Sequence, residues 1–185
     1  KEQRRHAKTI NFGLIYGMSA FGLNRSSDLT LAESEDFVEA YFRQFPGVKR
    51  YLDHMRLLAA QQGYVETLLG RRRYFPGLMT EKNQNIRNRE EREAINAPIQ
   101  GTAADIMKIA MLRLPAALTQ AGLAAQVLLQ VHDELVLECP KEEIQQAAQL
   151  ARKVMEEAYP LKAPLRTEAR YGKNWGTMIS ISSLS

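Results

Sequence analysis

The chain has 185 residues, enough for one or two domains with a buried core, and its 45% hydrophobic share is that of a globular protein. Net charge is +4 with a pI near 9.2, from 25 basic and 21 acidic side chains, which leans towards anionic partners and excludes a purely basic tail. The single cysteine, Cys139, excludes an internal disulfide framework and suits a reducing compartment, and no apolar run approaches the roughly 20 residues of a membrane span.

The chain opens at Lys1, without Met and without a helix-capping residue close ahead of the first periodic stretch, and so reads as a piece of a longer chain. A targeting segment would then lie outside it. Arg4 to Tyr16 reads as a helix ended by Gly17. Arg4, Lys8, Phe12 and Tyr16 recur every four residues. On a helix they form a slowly drifting stripe about 18 Å long, at about 1.5 Å per residue. A core helix puts Leu and Ile on such a stripe; this one runs from cations to aromatics. The cations suit phosphate and the aromatics a sugar or base, with a solvated amphipathic helix as the plainer alternative.

Ser19 offers an N-cap for a short helix through Phe21 and Leu23, and Asn24 to Asp28 reads as loop. Thr30 with Glu33 forms a capping box before a helix whose apolar side is Phe37, Val38, Tyr41 and Phe42. Phe45-Pro46-Gly47 reads as a turn. Val48, Tyr51, Leu52, Met55, Leu58 and Ala59 continue at helical spacing to a stop at Gly63. By that periodicity the aromatics of this region are expected in the core. Tyr64 to Leu68 and Arg71-Arg72-Arg73-Tyr74 then suggest a small hairpin carrying three arginines, either a solvated face or a phosphate contact.

Lys82 to Glu93 is dense in charge and amides. Arg92, Asn96 and Gln100 share a helix face, and Pro98 should kink or interrupt that helix. Such a line can hydrogen-bond base edges or sugars along a groove, or simply face solvent. Gln126 to Val131 and Leu135 to Glu138 read as strands flanking His132-Asp133-Glu134. The flanks are apolar, which suggests a hairpin within a core. Adjacent carboxylates there would be costly without a positive partner, and a divalent cation such as Mg²⁺ suits their oxygens. A polar turn in solvent is the alternative. Pro140 to Glu143 opens a helix with one apolar side (Ile144, Ala147, Ala148, Ala151, Val154, Met155, Ala158), and Leu165 to Arg170 reads as a last strand. The terminal ISISSLS is polar and β-prone, with no clear role.

A cationic helix, a carboxylate tip and a polar groove-tracking face are the parts that phosphoryl transfer to a growing strand requires. The blocks RRHAKTINFGLIYGMSA, GYVETLLGRRRYFP, EREAINAPIQGTAADIM and LQVHDELVLE resemble, from Arg4 to Trp175, the C-terminal part of family A DNA polymerases of the bacterial DNA polymerase I type. The resemblance implies an α+β fold: a helix-rich portion of the fingers over 1–82 and part of an antiparallel palm sheet over 83–185 of a right-hand polymerase. It implies that Arg4 and Lys8 contact the triphosphate, with Lys8 also a candidate general acid for the departing pyrophosphate. Phe12 packs on the nucleotide's sugar and base, a Phe associated with rejection of dideoxynucleotides, and Tyr16 lies beside the templating base. His132 sits near the primer terminus and phosphates, Asp133 is a metal ligand, and Glu134 supports it at the metal site. Arg92, Asn96 and Gln100 line the primer–template, with Gln100 reading the minor groove.

The implied partners are primer–template DNA, deoxynucleoside triphosphates and the upstream remainder of the polymerase chain, without a membrane. The implied cofactor is Mg²⁺, two ions in the intact enzyme. The implied location is the bacterial cytoplasm, at the nucleoid, with an organelle left open. One departure stands out. The family's other essential aspartate, in a motif of the form Asp-Tyr-Ser-Gln-Ile-Glu, is absent, and Glu2 has no such surroundings. Sequences for the thumb and exonuclease domains are absent too. These 185 residues alone are therefore expected to be inactive, and a non-catalytic nucleic-acid-binding module is the competing reading.

Overall fold

The computed structural model describes residues 2–80 and 82–181, and the side chains of residues 2, 3, 5, 6 and 9 lie outside that description. The chain divides into two compact units, 1–102 and 103–185. The fold is α+β: helices with three two-stranded antiparallel sheets among the described residues.

In the first unit, α1 (Glu2–Ile15) ends in a left-handed turn at Gly17, φ 81°. The Gly17 N–H donates to the Leu14 carbonyl (3.0 Å) and the Met18 N–H to the Gly13 carbonyl (2.8 Å), the paired bonds of a Schellman motif. The positive φ favours glycine, and a Cβ on Gly17 would also stand a tight 3.3 Å from Ile95 Cδ1. Ser19 caps α2 (Ala20–Ser26) by accepting from the Gly22 N–H at 3.2 Å. That helix takes in Asn24 to Ser26, where the sequence suggested loop: Ser26 returns its hydroxyl to the Gly22 carbonyl, a local bond that holds one more turn.

The capping box forms as expected at the head of α3 (Leu31–Gln44). Phe45 alone separates α3 from α4 (Pro46–Gln62), with Pro46 in the first helical turn, where its missing N–H costs nothing. Gly63, φ 76°, closes α4. The aromatics of this region are not the expected core. Phe21 is 60% exposed, Phe37 40% and Phe45 48%, while Ser34 is the fully buried residue of α3. Periodicity identifies a face but not what covers it. The core instead gathers Ala59, Val65, Phe75, Leu78, Ala94 and Ala97, with Leu14, Leu23, Leu52 and Ile95 also buried. β1 (Tyr64–Glu66) pairs with β2 (Arg72–Tyr74), and α5 (Gly77–Thr80) follows.

Helix α6 (Gln84–Gln120) supplies residues to both units and continues through Pro98 and Pro115. Pro98 does not interrupt it. A proline removes the donor for the carbonyl four residues back and strains the next turn. The carbonyl left without that donor is that of Ala94; one residue on, the Tyr51 hydroxyl donates to the Ile95 carbonyl at 3.1 Å and ties α4 to this turn of α6.

In the second unit, β3 (Gln126–Val131) and β4 (Glu134–Glu138) form an antiparallel hairpin with an irregularity between Val127 and Leu129. Val127, Leu135 and Leu137 pack on the core of Leu114, Leu118, Ala125, Ala147 and Ala151, whose last two residues lie on α7 (Ile144–Glu156). Glu143 accepts from the Ala124 N–H (2.9 Å) and the Ala125 N–H (3.2 Å), fastening the approach to β3 beside the start of α7. The expected strand from Leu165 to Arg170 reduces to β5 (Arg170–Tyr171), because only Ile179–Ser180 (β6) pairs with it. Thus the first part of the ISISSLS tail has a structural role; its last four residues lie outside the described residues.

Candidate nucleotide and nucleic-acid site

Three of the four stripe residues, Lys8 and Phe12 on α1 and Tyr16 just past its end, form a continuous row. Lys8 Nζ stands 5.6 Å from the centre of the Phe12 ring, and the Phe12 and Tyr16 rings are 5.9 Å apart at 49°. These are the neighbours that a four-residue helical step produces. Arg4 and Lys8 are exposed and Phe12 is 45% exposed. Among the described residues, neither Arg4 nor Lys8 has an ion-pair partner, in contrast to the pairs found elsewhere in this unit. Tyr16 lies just beyond the helix, where the Gly17 turn sets its direction.

The polar face of α6 begins at the same place. A Cβ on Gly17 would stand 3.6 Å from Arg92 Cγ, so the aromatic end of the stripe abuts the first residue of Arg92, Asn96 and Gln100. Arg92 and Gln100 are exposed. Asn96 is half-buried, and its Oδ1 is buried without a hydrogen-bond partner, a donor-seeking atom on the face expected to meet a nucleic acid.

The arginine hairpin behaves differently. Arg71 donates to the Gly101 carbonyl at 2.9 Å. Arg72 Nε pairs with Glu66 at 2.7 Å and its guanidinium lies 4.6 Å from the Tyr64 ring centre. The hydrogen bond to Glu66, with smaller help from Tyr74 and Tyr64, raises the Arg72 pKa. Arg73 pairs with Glu93 at 2.5 Å. The run is exposed, as a solvated face would be, but its charge is engaged within the chain.

In the second unit His132, Asp133 and Glu134 are all exposed. His132 and Asp133 form the connection, whereas Glu134 is the first residue of β4, opposite Val131. His132 holds φ 54°, a left-handed conformation in a residue other than glycine, at a cost of about 1 kcal/mol. Its carbonyl accepts from Gln130 Nε2 at 2.5 Å. The hairpin does not lie within a core: Leu128 and Leu129 are each 52% exposed. The tip carboxylates are solvated, so desolvation does not require a cation there. The donor chemistry still fits Mg²⁺, which is commonly held by one or two carboxylates together with water and substrate phosphates. Among the described residues no group of three or more His, Cys, Asp or Glu forms a complete cage. No described helix is long and apolar enough to cross a membrane.

Two pairs escaped sequence reasoning. Tyr41 donates to Asn11 Oδ1 at 2.7 Å, joining α3 to the stripe helix. Tyr51 bonds α6 near Pro98 as described, and burial pushes its phenol up to about 12. The only sequence signal was an Asn in the middle of a helix.

The family model for DNA polymerase family A matches residues 1–177. DNA polymerase I of Geobacillus stearothermophilus is 51% identical over 172 residues, 93% of this chain and 20% of the relative. That of Deinococcus radiodurans is 51% identical over 173 residues, 94% of this chain and 18% of the relative. The thermostable DNA polymerase I of Thermus aquaticus is 49% identical over 172 residues, 93% of this chain and 20% of the relative. The chain thus spans about a fifth of the length of these relatives. Among solved structures, the POL domain of Pol1 from M. smegmatis in complex with DNA primer-template and dNTP aligns with a TM-score of 0.84 and 45% identity, over 89% of this chain and 29% of that one. With the fold, the spaced motifs and a family match over nearly its whole length in agreement, the chain belongs to DNA polymerase family A.

Proposed function

We propose that this chain supplies the nucleotide-holding helix and one carboxylate tip of a template-directed DNA polymerase, which adds deoxynucleotides to a primer 3′ end. The observation that carries the reading is the row on α1: two exposed cations, without ion-pair partners among the described residues, leading to a half-exposed aromatic ring. The Pol1 structure from M. smegmatis, which holds DNA primer-template and dNTP, supports it.

In this reading residues 1–82 belong to the fingers and 83–185 to the palm. Arg4 binds the triphosphate through its guanidinium N–H fork, Lys8 as a point charge, and Phe12 packs on the sugar and base. The primer 3′ hydroxyl loses its proton to solvent and its oxygen forms a bond to the α-phosphorus as the bond to the leaving pyrophosphate breaks, and Lys8 donates a proton to that leaving group. Tyr16 borders the templating base. Arg92, Asn96 and Gln100 hold the primer–template, with Gln100 contacting minor-groove acceptors that are alike in every correct pair. His132 contacts phosphates near the primer terminus, and Asp133, supported by Glu134, would hold Mg²⁺. When bound, two such ions lower the pKa of the attacking hydroxyl and neutralise charge on the reacting phosphate. DNA replication and repair, in the cytoplasm, are the settings that go with this reading.

The 185 residues contain no second metal-binding aspartate motif, so catalysis requires the rest of the parent enzyme. Primer extension with Mg²⁺ tests this. The chain alone is expected to give no extension, and the full-length parent is expected to extend. Robust extension by the chain alone contradicts the reading.

A further inference from the structure

Lys8 and Phe12 can serve a nucleotide only if α1 is held at one rotation about its axis. Asn11 lies on α1 between them. At 3.6 residues per turn it stands about 60° from Lys8 and about 100° from Phe12, beside the stripe rather than on it. Its Oδ1 accepts the Tyr41 hydroxyl at 2.7 Å, a full-strength geometry for O–H···O. Tyr41 is itself well seated. Its ring meets Phe42 edge-on at 5.5 Å and Phe45 at 5.0 Å, and its carbonyl accepts the Phe45 N–H at 2.9 Å where α3 ends. The other end of α3 is fixed by the Thr30–Glu33 capping box.

We infer that Tyr41 is a positioning residue for the nucleotide site: its hydrogen bond to Asn11 fixes the rotation of α1 and hence the direction in which Lys8 and Phe12 meet a nucleoside triphosphate. This rests on the polymerase reading above. The geometry gives the latch leverage. A roll of about 20° moves a side-chain tip about 6 Å from the helix axis by about 2 Å. Misplacements of about 1 Å already cost reactivity. Burial also raises the Tyr41 pKa, so the hydroxyl keeps its proton through the working range of a polymerase.

The test uses the full-length parent enzyme carrying Tyr41→Phe, Asn11→Ala or both. Single-turnover incorporation is followed against deoxynucleotide concentration, with primer–template affinity and thermal unfolding measured alongside. Tyr41→Phe keeps the ring and its packing and removes only the donor. It is expected to raise the nucleotide KM about three- to tenfold, the worth of one hydrogen bond, while primer–template Kd stays within about twofold. Asn11→Ala is expected to do the same, and the double variant no more than the stronger single, because both remove one interaction. An unchanged nucleotide KM in folded Tyr41→Phe overturns the inference even if Asn11→Ala fails to fold, as do additive effects in the double variant. An equal loss of primer–template affinity overturns it too. If the wild-type parent does not extend a primer, the polymerase reading fails and the latch falls with it. A wild type that extends normally beside an unaffected Tyr41→Phe refutes the latch alone.

Discussion

Helix α1 and the β1–β2 hairpin are both rich in cations, yet they use the charge in opposite ways. The hairpin pairs its charge within the chain, at the surface: Arg71 holds the Gly101 carbonyl, Arg72 holds Glu66 and Arg73 holds Glu93. Arg4 and Lys8 on α1 are exposed without ion-pair partners among the described residues. The acids of the second unit divide in the same way. Glu143 holds the Ala124 and Ala125 amides, and Glu156 holds the Thr167 amide at 2.8 Å, whereas Asp133 and Glu134 stand exposed at the hairpin tip. A charge already matched inside the chain contributes to the scaffold; a charge left unmatched remains available to a ligand.

The largest expected effect falls on an unmatched acid. Asp133→Ala in the full-length parent is expected to lower primer extension by about a hundredfold or more while leaving primer–template binding in place. A comparable loss of binding, with little effect on turnover of bound primer, would instead favour a nucleic-acid-binding module. Next comes the anchor of the nucleotide helix. Gly17→Ala places a Cβ at φ 81°, 3.3 Å from Ile95 Cδ1, and is expected to cost about 1–2 kcal/mol in chemical denaturation. A neutral result would show that the turn does not hold α1 against α6.

A smaller effect belongs to a matched group. Tyr51→Phe removes the donor to the Ile95 carbonyl and is expected to cost about 1 kcal/mol near neutral pH. Its pH signature is more specific. The folded-state pKa of Tyr51 is raised to about 12 from an ordinary 10, so the folded chain keeps a proton that the unfolded chain releases. The stabilisation from this group is complete below pH 10 and is lost as pH rises towards about 12. Denaturation across that window is expected to show a shallower loss in Tyr51→Phe than in the wild type.

Local rules made much of this legible. The Thr30–Glu33 capping box, the glycine stops at 17 and 63, and the spacing of the stripe depend on a few adjacent residues, and all appear in the structure. What depends on distant partners was not legible. Phe21 and Phe37 follow helical periodicity and Phe45 joins two helices, yet all three stay exposed among the described residues. Pro98 is carried by a helix that continues through it, with Tyr51 from α4 bonded alongside. The apolar strands around Asp133 suggested a buried hairpin, but only one face rests on the Ala147–Ala151 side of α7. The site followed the same division: its residue types and spacing were readable, whereas Asn11 and Tyr41 acquire a role only through a contact thirty positions apart.

The contrast between available and engaged cations is tested most directly by nucleotide titration of single-turnover incorporation in the full-length parent, comparing Lys8→Ala with Arg72→Ala. Loss of a charge-assisted contact to phosphate is expected to weaken apparent nucleotide affinity about tenfold or more for Lys8→Ala. An exposed ion pair is worth at most about 1 kcal/mol of stability, so Arg72→Ala should shift nucleotide affinity by less than about twofold. Equal weakening by the two substitutions, or a larger effect from Arg72→Ala, would contradict the assignment of α1 as the nucleotide-holding helix.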